Sequence, residues 1–199
     1  MRRLWGHAGS ALVTAAMVAL SSAWAASAEP VETPPRLPEF VPHASEWTPD
    51  YTPFPYNLWQ PRVTREQVTA ERDACQWFNA QYHPLMGQVS AFQRELGDQH
   101  DDWTANGIQV AADVLTANLY QSAAFLDPRV HTLFITNYPD QSEYSPLYNG
   151  DSFYHLWYQL TQISDKTMQN QPSGFINANI ATAYVYGRVI RDSGVCDGA

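Results

Sequence analysis

Asp151 and His155 stand four residues apart, the spacing that brings two side chains to one face of a helix. A carboxylate beside an imidazole is a common pairing for proton transfer. The pair lies in YSPLYNGDSFYHLWY, Tyr144 to Tyr158, where aromatic rings crowd around an Asn149-Gly150-Asp151 turn. It also reads, more simply, as an aspartate capping a helix start beside a surface histidine. His100-Asp101-Asp102 is the other local cluster. It has metal-ligand chemistry, and it reads equally as a solvated loop anchored by Trp103.

The stronger signatures are missing. The chain holds no G-x-S-x-G, no H-E-x-x-H, no phosphate-binding P-loop and no G-x-G-x-x-G. His43, His83, His100, His131 and His155 include no two at helical ligand spacing, and Glu-x-x-His does not occur. No catalytic residue, metal ligand or cofactor is therefore assigned. What remains is a flank of tyrosines. On a helix from Asp151, the side chains of Phe153, Leu156, Trp157 and Leu160 share the core face, while Tyr154 and Tyr158 stack beside it. Tyr144, Tyr148, Asp151, Tyr154 and Tyr158 form the candidate interaction strip, because tyrosine joins an apolar ring to a polar tip.

The elements that would position this strip follow from pattern and punctuation. Residues 1–28 read as a signal peptide: Arg2-Arg3, an apolar run from Ala11 to Leu20, and an Ala26-Ser27-Ala28 cleavage site. Export to a secreted or periplasm-like envelope space is the expectation. The full chain of 199 residues has a formal charge of −9, and loss of Arg2 and Arg3 makes the remainder more acidic still. Such a surface repels nucleic acid and anionic lipid, and stable membrane insertion is not expected. Lys166, the single lysine, suits a GC-rich, actinobacterial genome. Two cysteines in an exported chain imply one disulfide, Cys75–Cys196.

Residues 29–61 hold most of the fourteen prolines, so an extended arm is expected there, docked on its own domain or on a partner. Phe40, Trp47, Tyr51, Phe54, Tyr56 and Trp59 interleave with those prolines. Residues 62–199 read as a compact all-α domain of four to five helices. Thr64 with Gln67 makes a capping box, followed by apolar residues at helical spacing from Val68 to Leu96, with a break or kink at His83-Pro84 and a stop at Gly97. A second helix carries Ile108 to Leu126. Asp127-Pro128 opens a short third that ends before Pro139. Asp151 or Ser152 caps the next, Pro172-Ser173-Gly174 ends it, and residues 175–192 alternate between helical spacing and a period of two.

The Tyr148-Asn149-Gly150-Asp151 turn, Trp157 after it and the terminal Val195-Cys196-Asp197-Gly198 resemble a family of small exported mycobacterial α-helical proteins, from Cys75 to Cys196. The resemblance implies a disulfide between the two ends of the domain and a non-catalytic envelope role, one member of that family being implicated in siderophore secretion. Phe125-Leu126-Asp127-Pro128-Arg129-Val130 is similar to a run in small exported mycobacterial haem-binding proteins, which would need an axial ligand such as His131, Tyr138 or His155. The reading favoured is an exported helper acting on an envelope protein or small amphiphile. The alternatives are a carrier of a hydrophobic ligand such as haem, and a hydrolase with an unrecognised site.

Overall fold

Thr64 opens the helical domain with both halves of its capping box made. Its hydroxyl accepts from the Gln67 backbone N–H at 3.2 Å, and Gln67 Oε1 accepts from the Thr64 N–H at 3.0 Å. The computed structural model describes residues 31–52, 63–138 and 141–199, and only the backbone of 135–138 and 141–144. Helix α1 spans Arg65–Trp77, α2 His83–Asp98, α3 Ile108–Leu133, α4 Gly150–Met168 and α5 Ser173–Asp192. The expected signal peptide, 1–28, and the arm's residues 53–61 lie outside the described residues.

The fold is all-α, built as four rods. Between α1 and α2, Phe78–Tyr82 forms one π turn, so the two helices run on as a single rod. That rod packs on α3 and α5, and α4 lies between α3 and α5. The core gathers Trp77, Tyr82, Leu85, Leu119, Leu126, Phe153 and Leu160, all buried. The disulfide joins Cys75 in the rod to Cys196 at the tail, 121 residues apart. A loop of that length is worth roughly 4–5 kcal/mol in the chain-entropy account.

Two expectations change. Pro84 does not break the helix. Its missing N–H and its clash with the preceding turn are absorbed by the π turn immediately before it, and Pro84 sits in the first turn of α2, where no N–H is needed. Pro128 does not begin a new helix either, because α3 passes straight through it. The carbonyl that its missing N–H frees is that of Ala124, and side chains bond the carbonyls that follow it. Arg129 Nη1 donates to the Phe125 carbonyl at 2.7 Å, His131 Nδ1 meets the Asp127 carbonyl at 2.8 Å, and the Thr132 hydroxyl donates to the Pro128 carbonyl at 2.8 Å. The helix does end before Pro139, and after Phe134 the chain turns extended. Ile135–Tyr138 (β1) pairs antiparallel with Gln141–Tyr144 (β2), in keeping with the β-branched Ile135-Thr136.

The caps differ as well. Helix α4 starts from Asn149, held left-handed at φ 61°, so Asp151 falls in its first turn and is not the cap. A side chain at Gly150 would strike Ser145 Oγ. Residues 175–192 lie wholly within helix α5, and Asp101 serves that helix from a distance, its Oδ1 accepting the Ser173 N–H at 2.8 Å. Asp102 accepts from the Thr104 N–H and hydroxyl at 2.9 and 2.6 Å. The His100-Asp101-Asp102 carboxylates are thus engaged in loop and helix capping.

Residues 31–52 run without helix along the rod and α3, and their backbone is hydrogen-bonded by side-chain amides. Asn118 accepts from the Leu37 N–H at 3.1 Å and donates to the Pro35 carbonyl at 2.9 Å. Gln76 likewise accepts from the His43 N–H and donates to its carbonyl, at 3.0 and 3.2 Å. Gln88 donates to Pro35, and Gln81 and Gln121 both donate to Pro38. Near the chain's end, Trp47 Nε1 donates to the Asp197 carbonyl at 2.9 Å.

The π turn sets the register of these amides. In an unbroken α-helix, residues twelve apart, as Gln76 and Gln88 are, point about 120° away from each other. One extra residue in the turn reduces that to about 20°, so both face the arm. Replacing Asn118 by Leu removes both arm bonds and its 2.8 Å bond to Gln88. The variant should lose about 1–3 kcal/mol in urea denaturation. Trypsin should cut it faster at the exposed Arg36, with cleavage no faster than wild type counting against this account of arm docking.

Candidate functional site

The structure separates the tyrosine strip into four settings. Tyr144 closes β2 opposite Ile135. Tyr148 is partly buried against the core, and its N–H donates to the Asp50 carbonyl of the arm at 2.9 Å. Tyr154 stacks on Phe134, with centroids 4.0 Å apart and planes 6° from parallel, and takes the edge of His131 at 5.5 Å. Tyr158, one turn on, is 46 % exposed. His155 is not a surface histidine, because its ring stacks on Tyr186 of α5 at 4.9 Å and meets Phe134 edge-on at 6.1 Å. Among the described residues, no hydrogen bond joins Asp151 to His155.

Trp157 lies only partly inside the core, its exposed part lining a groove between α3 and α4 of about 520 Å³. Tyr120, Ala123, Ala124 and Asp127 come from α3, and Trp157, Thr161, Asp165 and Met168 from α4. Tyr120 is 72 % and Met168 61 % exposed, an unusual outlay of apolar surface. The lining carries two carboxylates and no lysine or arginine. His131 stands at its edge, 4.9 Å from the Trp157 ring and with its Nδ1 3.5 Å from Asp127 Oδ1. Sequence periodicity assigns Trp157 and Met168 alike to the apolar face of α4, which the exposure of Met168 corrects, and it gives no reason to single out Tyr120. The only available signal was that Tyr120 falls off the buried stripe of α3.

A second feature lies where the arm meets the start of α4. The Thr52 N–H donates to the Pro146 carbonyl at 3.0 Å, its hydroxyl donates to the Ser145 carbonyl at 2.9 Å, and Tyr51 bridges Leu147. Glu71 sits nearby on α1, fully buried, with no hydrogen-bond partner for either carboxyl oxygen among the described residues. Burial holds its carboxyl well above the ordinary value of 4.5, and the neighbouring Asp151 and then Asp50 push it further up. The sequence did carry a trace of this. Glu71 occupies the one gap in the apolar spacing between Val68 and Cys75.

Among the described residues, no group of three or more His, Cys, Asp or Glu is placed to hold a metal ion. No described helix is long and apolar enough to cross a membrane. No family model, curated protein or solved structure matches this chain.

Glu71 gives the protein a distinctive pH response. A carboxyl that the fold keeps protonated binds its proton more tightly folded than unfolded, so its contribution is most favourable below pH 4.5 and is lost as pH rises toward the folded value. Glu71→Gln should flatten that decline, raising Tm relative to wild type at neutral pH while changing it little near pH 4. Thermal melts across pH 4 to 8 with parallel curves for the two proteins would refute the assignment.

Proposed function

We infer that the protein is an exported, non-catalytic component of the cell envelope that binds an amphiphile, or an amphiphilic segment of an envelope protein, along α3 and α4. The observation that carries this reading is the groove itself, with exposed Tyr120 and Met168 and half-buried Trp157 beside Asp127 and Asp165. Rings, methyls and a thioether supply a surface for a hydrocarbon chain. Two carboxylates with no basic residue among them favour a positively charged head, and the acidic chain as a whole attracts such a partner. Export rests on the leader-like residues 1–28, the disulfide and the resemblance to small exported mycobacterial proteins. Support of siderophore or lipid export is the form of the role that this resemblance suggests. Tyr158, exposed on the adjoining face of α4, extends the same contact surface.

Titration with dodecyltrimethylammonium below its micelle concentration, followed by amide chemical shifts, tests the reading. Shifts should concentrate on α3 and α4, dodecyl sulfate should bind at least about tenfold more weakly, and Thr161→Arg should abolish the response. Equal binding of both detergents, or shifts spread evenly over the protein, would reject it.

Haem carriage is the second reading, favoured by one contact: His131 abuts the groove through Trp157. Its Nδ1 is occupied by the Asp127 carbonyl, which leaves Nε2 as the ligating atom. A hemin titration without a Soret shift removes this reading.

A further inference from the structure

The arm roofs a second, smaller pocket where it crosses the π turn. Its volume is about 280 Å³, and its walls are Glu39 and Phe40 of the arm, Gln81 of the π turn, and Gln121, Ser122, Ala124 and Phe125 of α3. The Pro38 carbonyl accepts from Gln81 Nε2 at 2.6 Å and from Gln121 Nε2 at 2.8 Å. With its nitrogen committed to the arm, the Gln81 amide has one orientation, and its oxygen is left as a pure acceptor. Gln81 Oε1 and Ser122 Oγ are both buried, and among the described residues neither has a hydrogen-bond partner. Gln81 is 4 % and Ser122 1 % exposed, so both are more than nine-tenths buried. Buried polar atoms are normally paired, and two orphans lining one pocket mark a place where a ligand supplies the donors.

The remaining walls specify the ligand further. Phe40 meets Phe125 edge to face, with centroids 5.0 Å apart, giving an apolar corner suited to a ring or short hydrocarbon. Glu39 is the one charged residue in the lining. Arg129 lies 3.6 Å from the Phe125 centroid, but its charge is met by Asp73 at 3.1 Å. The polar complement is therefore acceptor-rich and negative. A carboxylate would meet repulsion from Glu39 and the fixed acceptor Gln81 Oε1, whereas an ammonium brings three donors and a positive charge.

We propose that this pocket binds a small primary amine with an aromatic or short hydrocarbon body, the ammonium donating to Gln81 Oε1 and Ser122 Oγ and facing Glu39, and the body resting against Phe40 and Phe125. Because the arm supplies Pro38, Glu39 and Phe40, the ligand also ties the arm down. Occupancy and arm docking stabilise each other by mass action.

Phenethylammonium titrated into the full chain by calorimetry, beside 2-phenylethanol and 3-phenylpropionate, tests this. The amine should bind saturably, at least about tenfold tighter than the alcohol, with no heat from the acid. Ser122→Ala, which leaves every arm hydrogen bond in place, should weaken the amine about tenfold, as should Glu39→Gln. Saturating amine should also slow tryptic cleavage at Arg36. Absence of saturable binding, equal affinity for the alcohol, or amine affinity unchanged by Ser122→Ala each overturns the proposal. Thr161→Arg, which blocks the α3–α4 groove, must leave amine binding intact, and its loss there would likewise overturn it. Dodecyltrimethylammonium has no N–H to offer this pocket, so the fate of the groove reading is decided separately.

Discussion

A backbone laid on a helical surface has to find hydrogen bonds without a sheet to join, and the structure of this protein is organised around that need. Residues 31–52 have neither helix nor ladder, apart from the single bridge at Tyr51. Their carbonyls and few N–H groups are met by Gln76, Gln81, Gln88 and Asn118, amides that are themselves buried. A side-chain amide offers a donor and an acceptor side by side, as a neighbouring strand does. Asn118 and Gln76 use both functions on the arm at once. The glutamine- and asparagine-rich composition, odd for a helical domain, becomes intelligible as the complement of a proline-rich segment that cannot pair with itself.

That arrangement places demands on the rod beneath. The amides must all point to one side, and the π turn brings them there while admitting Pro84 into the next helix. Tyr82, the last residue of the turn, inserts its ring against Gly187, where any side chain would collide with it, and its hydroxyl donates to the Ala183 carbonyl at 3.3 Å. Burial raises that hydroxyl's pKa to about 12, keeping it a donor. The disulfide then fixes α1 to the tail, whose Asp197 carbonyl in turn receives Trp47 from the arm. Arm, rod and tail are locked by three chemically different links over a short stretch of surface.

How much of this was legible depends on the range of the interaction concerned. The capping box at Thr64, the apolar stripes, the stop after α2 and the cysteine pair are local or one-to-one relations, and the sequence displays them. The helical state of residues 175–192 was ambiguous by spacing because Ile176 to Tyr186 fits two periods. Packing of Ile176, Ile180 and Ala183 against the core resolves it. Pro128 misled because Asp-Pro reads as a helix start, whereas α3 runs through it with Leu126, Val130 and Leu133 buried on either side. The tyrosine strip was drawn from one helix alone. Its division into a buried stack at Tyr154 and an exposed Tyr158 depends on Phe134 and His131, which arrive from α3 and its exit. The two cavities were invisible for the same reason, each being made by residues from distant parts of the chain.

The π turn has one more consequence, for the history of the gene. Loss of a single codon in Phe78–Tyr82 would rewind the rod into regular helix and leave Gln76 and Gln88 eleven residues apart, still within about 20° of each other. A lineage carrying that deletion would keep both amides toward the arm, whereas regular helix at the present length would turn them about a third of a revolution apart. The extra residue and the bulge that holds it can thus be gained or lost together without turning the flanking amides away from the arm.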